Sequence, residues 1–270
     1  MPVSSANGID IYWENHGPAE APRVLFIGGS GGDLRKAPNV FDGPLAKSAN
    51  VISYDQRGLG RTSKPQGPYT MADYADDAAA LMDAAGWDRA HVIGASFGGM
   101  VAQHLAIRHP ARIDRLVLCC TSPGGEGGSS WPLHEVAGMD DEARLRFMAP
   151  ISDTRHDEVW QQANAETFDA LIREQAEAET AYADEPGRRE GALLQLEARR
   201  HHDAWEGLAT IPHETLICGG RYDGIAPPQT QERLRDRIPN SQVRMYEGGH
   251  WFIVRDRAAW ADIVRFVTRD

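Results

Sequence analysis

Gly94-Ala95-Ser96-Phe97-Gly98 is a G-x-S-x-G motif. In the right setting it makes the serine a nucleophile for acyl transfer. The reason is steric. A serine lifted clear of a sheet edge needs a sharp, strained turn, and side chains two positions before and after it would collide. Gly94 and Gly98 remove those side chains. An ordinary glycine-rich turn could carry the same letters, so the surroundings must decide. A serine hydroxyl is a poor nucleophile and needs a base. His250, in Glu247-Gly248-Gly249-His250-Trp251, is the best candidate, because glycines before it let its loop approach the nucleophile. The base in turn needs a carboxylate to orient it. Asp223, in Gly220-Arg221-Tyr222-Asp223-Gly224, precedes His250 by 27 residues, room for one helix and one strand.

The tetrahedral intermediate of acyl transfer needs two N–H donors for its oxyanion. The backbone N–H of Phe97, directly after the nucleophile, is one expected donor. The other should come from Gly28-Gly29-Ser30-Gly31-Gly32, and it is assigned to Ser30. A phosphate cradle is the competing reading of those glycines. It fails because no G-K-S/T follows and the G-x-G-x-x-G spacing is absent. Among the other histidines, His91, His104 and His109 read as structural. His201 and His202 close an expected helix and could cap it or face the site. His134, His156 and His213 read as surface residues.

These groups must be held by regular elements. Strands are expected over 9–15, 23–27, 51–54, 91–95 and 116–120, and again over 214–218 and 241–247. Between them, helices are expected over 70–86, 97–109, 227–238 and 256–268. Thr70 with Asp73 three residues on marks one helix start, and Gly86 its end. Strands alternating with helices imply a parallel sheet covered on both faces. Ser96, Asp223 and His250 then each follow the carboxyl end of a strand, where open α/β sheets carry their sites. The alternation breaks after Thr121. Residues 124–130 have the composition of a flexible linker, helices are expected over 157–179 and 191–202, and no strand signal returns before about 208. The domain reading is a core of 1–122 and 209–270, interrupted by a helical cap or lid over 123–208.

Composition narrows the class of partner. The chain has 270 residues and a formal net charge of −11. That field repels nucleic acid, and no basic stripe offsets it. It also mildly disfavours strongly anionic substrates, although a local arginine could override it. The longest apolar runs are strand-sized, so no membrane span is expected. The N-terminal residues lack the basic and apolar regions of a targeting signal. Cys119, Cys120 and Cys218 are odd in number and irregular in spacing, which argues for reduced, buried thiols in a cytoplasmic protein. The expected partner is a small-molecule substrate, with no metal and no cofactor. Assembly into a homo-oligomer is left open.

Taken together, these residues resemble the α/β-hydrolase superfamily over nearly the whole chain. The pieces are Phe26 to Gly32, Tyr54-Asp55-Gln56-Arg57-Gly58-Leu59-Gly60-Arg61-Thr62-Ser63, the Ser96 turn, Tyr222-Asp223 and Gly249-His250. The resemblance implies an α/β-hydrolase fold, a mostly parallel doubly wound sheet with a helical cap between the sixth and seventh strands. It also implies a serine hydrolase with a Ser-Asp-His triad in that chain order. Arg57 and Ser63 belong to a turn similar to the family's R-G-x-G-x-S, which implies a structural role. The chain looks most like the small capped esterases and lactonases, 3-oxoadipate enol-lactonase included. Gly28 stands where the family has a histidine that braces the oxyanion loop. Ser30 is similar to the serine found there in some carbon–carbon bond hydrolases of meta-cleavage pathways.

The expected reaction is therefore hydrolysis of a small to medium neutral ester or lactone through an acyl-enzyme. The alternatives are a carbon–carbon bond hydrolase of the same fold, or a small-molecule receptor with vestigial turnover. Substrate contacts are assigned to Gly29, Trp131, Trp160 and Trp251, with Phe97 nearby, although large aromatics serve packing equally well.

Overall fold

The computed structural model describes residues 3–269. Met1 and Pro2, which open the N-terminal segment read above, and Asp270 lie outside the described residues. The described residues form one eight-stranded sheet in the order β1-β2-β4-β3-β5-β6-β7-β8. The strands are β1 (Val3–Ala6), β2 (Ile9–His16), β3 (Arg23–Ile27), β4 (Asn50–Tyr54), β5 (Ala90–Ala95), β6 (Ile113–Cys119), β7 (Glu214–Gly220) and β8 (Ser241–Tyr246). β1 and β2 run antiparallel to their neighbours, and β3 to β8 are mutually parallel. β1 carries no expectation from the sequence, because its Val-Ser-Ser-Ala is too short and polar to read as a strand.

Helices cover both faces, as the strand–helix alternation implies. They are α1 (Leu45–Ser48), α2 (Met71–Ala84), α3 (Phe97–Arg108), α4 (Asp141–Ser152), α5 (Glu158–Ala163), α6 (Ala165–Thr180), α7 (Arg188–Arg200), α8 (Trp205–Leu208), α9 (Pro228–Arg237), α10 (Phe252–Arg255) and α11 (Arg257–Thr268). Successive residues of β5 feed opposite layers of the core. Val92 packs in the layer that holds Tyr74, Leu105 and Leu234 of α2, α3 and α9. Ile93 packs in the layer that holds Leu45, Ile263 and Phe266 of α1 and α11. Burying each such Leu, Ile or Phe side chain contributes roughly 1.5–3 kcal/mol. α2 starts at Thr70, whose Oγ1 accepts from the Asp73 N–H, while the Asp73 carboxylate accepts from the Thr70 N–H.

α4 to α7 all lie between β6 and β7. Here three readings change. The helix expected over 157–179 is two helices, because Asn164 leaves helical geometry at φ −125° and its side-chain amide donates to the Trp160 carbonyl at 2.8 Å, closing α5. α4 is an additional helix, started by Asp140, whose Oδ1 accepts from the N–H groups of Glu142 and Ala143. Residues 124–130 are packed rather than linker-like. Gly124 (φ +71°) bridges to Asp203, and a Cβ on Gly127 would collide with the Trp205 ring. Those glycines serve close approach. No helix among the described residues is long and apolar enough to cross a membrane.

Candidate active site

β5 ends at Ala95 and α3 begins at Phe97, so Ser96 is the whole turn between them. It sits at φ 55°, ψ −116°, a left-handed conformation that costs on the order of 1–3 kcal/mol in a non-glycine residue. Packing holds it there. The Ser96 N–H donates to the Cys119 carbonyl at 2.8 Å. A Cβ on Gly94 would collide with the backbone of Gly98, and one on Gly98 would collide with the Ile27 and Gly28 carbonyls.

The loops after β7 and β8 bring the other two groups to this turn. His250 Nε2 lies 2.9 Å from Ser96 Oγ, and His250 Nδ1 lies 2.9 Å from Asp223 Oδ2. Asp223 and His250 are 2% and 7% exposed, so the pair is screened from water. The other carboxylate oxygen, Asp223 Oδ1, accepts from the N–H groups of Ile225 (2.8 Å) and Ala226 (2.9 Å). With one oxygen fixed by backbone, the second is aimed at Nδ1. That bond leaves the proton on Nδ1 and the lone pair of Nε2 facing the serine. The arrangement can accept a proton from Ser96 Oγ and return it.

The Gly28–Gly32 loop is braced in a way the sequence did not reveal. Gln56 Nε2 donates to the Gly28 carbonyl at 2.9 Å. From α7, Gln195 Oε1 accepts the Gly31 N–H at 2.9 Å, and the Gly32 N–H turns back to the Gly29 carbonyl. The Gly31 and Gly32 donors are thereby used, which leaves those of Gly29 and Ser30 in this loop. Gly29 lies against Ser96: a Cβ there would sit 3.5 Å from Ser96 Cβ. Ser30 Oγ is buried without a hydrogen-bond partner. The Phe97 N–H opens α3 and so has no acceptor within the helix.

An ionic latch ties the same loop to the segment that opens α7. Asp33 accepts from Arg35, which also pairs with Glu185, and from Arg188 at 2.7 Å. Burial works to raise the Asp33 carboxyl, but the bonds from Arg35 and then Arg188 outweigh it and hold it well below the usual carboxylate range. The closing residues of α4 bond to the loops that carry His250 and Asp223. The His250 N–H donates to the Ser152 carbonyl at 2.7 Å, and the Gly224 N–H to the Ile151 carbonyl at 2.9 Å.

The aromatic candidates divide. Trp251 is 61% exposed and meets the His250 ring edge-on at 6.2 Å. Trp131 packs with Val136, Met148 and Ile225, and its N–H donates to the Ile225 carbonyl, two residues from Asp223. Trp160 makes its ring contacts with His156 and Phe168, both between β6 and β7. The Phe97 side chain is fully buried against Tyr74, so only its backbone is available to a substrate. His213, expected at the surface, is buried, and His202 turns inward to the Ser122 carbonyl and His104. His104 and His109 are structural, bonded to His202 and Asp76. Arg57 pairs with buried Asp77, and Ser63 Oγ accepts the Asp10 N–H, so both stabilise their turn.

Sequence reasoning missed Gln56, Gln195, Arg188 and Ser152. Gln195 and Arg199 share one face of α7 by their i, i+4 spacing, but spacing does not say what that face meets.

Residues 22–256 match the alpha/beta hydrolase fold family. The 2-hydroxymuconate semialdehyde hydrolase of Pseudomonas sp. (strain CF600) is 34% identical over 232 residues, spanning 82% of this chain and 76% of that one. Among solved structures, the enol-lactonase from Burkholderia xenovorans LB400 is similar at a TM-score of 0.78 and 26% identity, covering 99% of this chain and 100% of that one. A meta-cleavage product hydrolase from Pseudomonas fluorescens IP01 is similar at a TM-score of 0.77 and 26% identity, covering 99% and 96%.

Proposed function

This chain belongs to the alpha/beta hydrolase fold family, and on that premise we propose that it is a serine hydrolase cleaving a small to medium carboxylic ester or lactone through an acyl-enzyme. The observation that carries the reading is the continuous relay from Ser96 Oγ through His250 to Asp223, with both contacts at 2.9 Å. Ser96 Oγ attacks the carbonyl carbon while its proton passes to His250 Nε2. The oxyanion that forms is held by the N–H groups of Ser30 and Phe97. One such donor is worth roughly 3–4 kcal/mol in comparable sites. Collapse expels the alkoxide, which takes the proton back from His250. Water then attacks the acyl-Ser96, again giving its proton to His250, and the acid leaves as Ser96 is restored. Asp223 stays ionised throughout and stabilises the imidazolium. The partner is a small molecule, neither nucleic acid nor membrane. The free, buried Cys119, Cys120 and Cys218 support a reducing, cytoplasmic setting.

A carbon–carbon bond hydrolase is the second reading. The similarity to a 2-hydroxymuconate semialdehyde hydrolase and the unpartnered Ser30 Oγ favour it. One experiment separates the two. Chromogenic esters of graded acyl length, several lactones and a vinylogous diketone are offered to the enzyme. Turnover of esters or lactones with the diketone untouched is the expected result. Consumption of the diketone alone would establish the second reading. Tight binding with less than about one turnover per minute, far below the usual kcat range, would make the protein a receptor on a hydrolase scaffold.

A further inference from the structure

Arg199, near the end of α7, is 6% exposed. Its Nη2 donates to Ser130 Oγ (2.7 Å) and to the Trp131 carbonyl (2.9 Å), both neutral acceptors. Its Nε is buried without a partner. The other buried arginine, Arg57, has Asp77, and the partly buried Arg35 and Arg188 have Asp33. Arg199 has none among the described residues. Burial alone pulls its guanidinium down to about 10, which leaves it charged at neutral pH. A buried cation with no anion beside it is expensive to keep, and an oxyanion is the partner its planar fork matches best.

Arg199 also borders a cavity of about 300 Å³. Ser129, Ser130, His134, Arg200 and His202 line it too, and no acidic residue does. The Nδ1 atom of His134 is buried and unpartnered. His202 adds no competing charge, because burial, reinforced by His104 beside it, pulls its ring down to about 3. Met100, a further lining residue, lies four positions after Ser96 along α3. The backbones of these two residues are thus about one helical turn, roughly 6 Å, apart. None of Ser96, Asp223 and His250 lines it.

We propose that this cavity binds a small organic carboxylate, with Arg199 as its countercharge and Ser129, His134 and Arg200 as further polar contacts. A chain of net charge −11 makes anionic ligands the exception, and Arg199 supplies the local override. The carboxylate is either part of the substrate or a separate small molecule. Only the first of these rests on the hydrolase reading.

The test begins with glutarate binding to the Ser96→Ala protein, measured by calorimetry, so that turnover plays no part. Binding at millimolar affinity or tighter is expected, weakened at least tenfold by adding Arg199→Gln, since charge-assisted hydrogen bonds are the strong ones. Arg199→Lys keeps the charge and guards against a Gln variant that fails to fold; it should retain part of the affinity. The wild-type preference for the 4-nitrophenyl monoester of glutaric acid over the isosteric 5-methylhexanoate ester is then compared with that of Arg199→Gln. A tenfold fall in that ratio, with glutarate a competitive inhibitor, places the substrate's own carboxylate in the cavity. An unchanged ratio with Arg199-dependent glutarate binding makes the ligand a separate molecule. No glutarate binding, or equal binding with and without Arg199, overturns the proposal. Absence of ester turnover by the wild type with binding intact would sink the ester-hydrolase reading alone.

Discussion

The backbone N–H of His250 donates to the carbonyl of Ser152 at 2.7 Å, so the end of α4 is bonded to the loop that carries His250. Gly249 makes this contact feasible, because a Cβ there would collide with that carbonyl and with Asp153. Gly249→Ala should force α4 and the base loop apart. A displacement near 1 Å in a catalytic group can cost on the order of a hundredfold in rate. We expect kcat/KM on the best ester to fall between tenfold and several hundredfold, with kcat bearing most of the loss. Unchanged kcat/KM in a folded variant would show that the α4 contact does not position His250.

Ser96→Ala removes a half-exposed hydroxyl and should leave the melting temperature within a few degrees of wild type. Ester turnover should disappear, since removing a triad nucleophile costs several powers of ten. A fluorophosphonate should label the wild type at Ser96 and nowhere else, as read by peptide mass spectrometry. More than about 1% residual turnover would contradict the assignment.

The buried pair His104 and His202, with Nε2 and Nδ1 3.2 Å apart, makes stability depend on pH. Burial pulls His104 down to about 4 and His202 to about 3. In the unfolded chain both rings titrate near 6.5. Above that pH neither state takes up the protons and the pair costs nothing. As pH falls below about 6.5, only the unfolded chain is protonated, so stability is lost progressively until the folded rings titrate. By pH 5 the loss should be about 2 kcal/mol per ring. Urea unfolding at pH 7 and pH 5 measures it. A His104→Gln, His202→Gln variant should lose clearly less over the same interval, and an equal loss would put the pH dependence elsewhere.

Trp251 is exposed beside His250, whereas Trp160 packs with His156 and Phe168. Trp251→Ala should therefore alter the ranking of esters by acyl length and barely move the melting temperature. Pocket methylenes are worth ~1–3 kcal/mol in such rankings. Trp160→Ala should do the reverse. Rankings unaffected by either variant would leave both residues without a role in selectivity.

Local patterns carried much of this protein's description. The apolar runs of β3, β4 and β5, the capped start of α2 and the glycines around Ser96 could each be read in place, because propensity and sterics act between near neighbours in the chain. The chain order of Ser96, Asp223 and His250 could be read too, because each follows a strand signal. The break at Asn164 and the packing of 124–130 could not be read. Both depend on contacts with residues distant in sequence or on a single side-chain bond. The same holds for the brace from Gln195 to Gly31, 164 residues apart, and the latch from Arg188 to Asp33, 155 apart. Arg199 is the plainest case. Its sequence neighbours mark it as an ordinary charged residue near a helix end. Only the tertiary structure encloses it without a carboxylate, since burial and the identity of what faces a side chain are properties of the assembled chain.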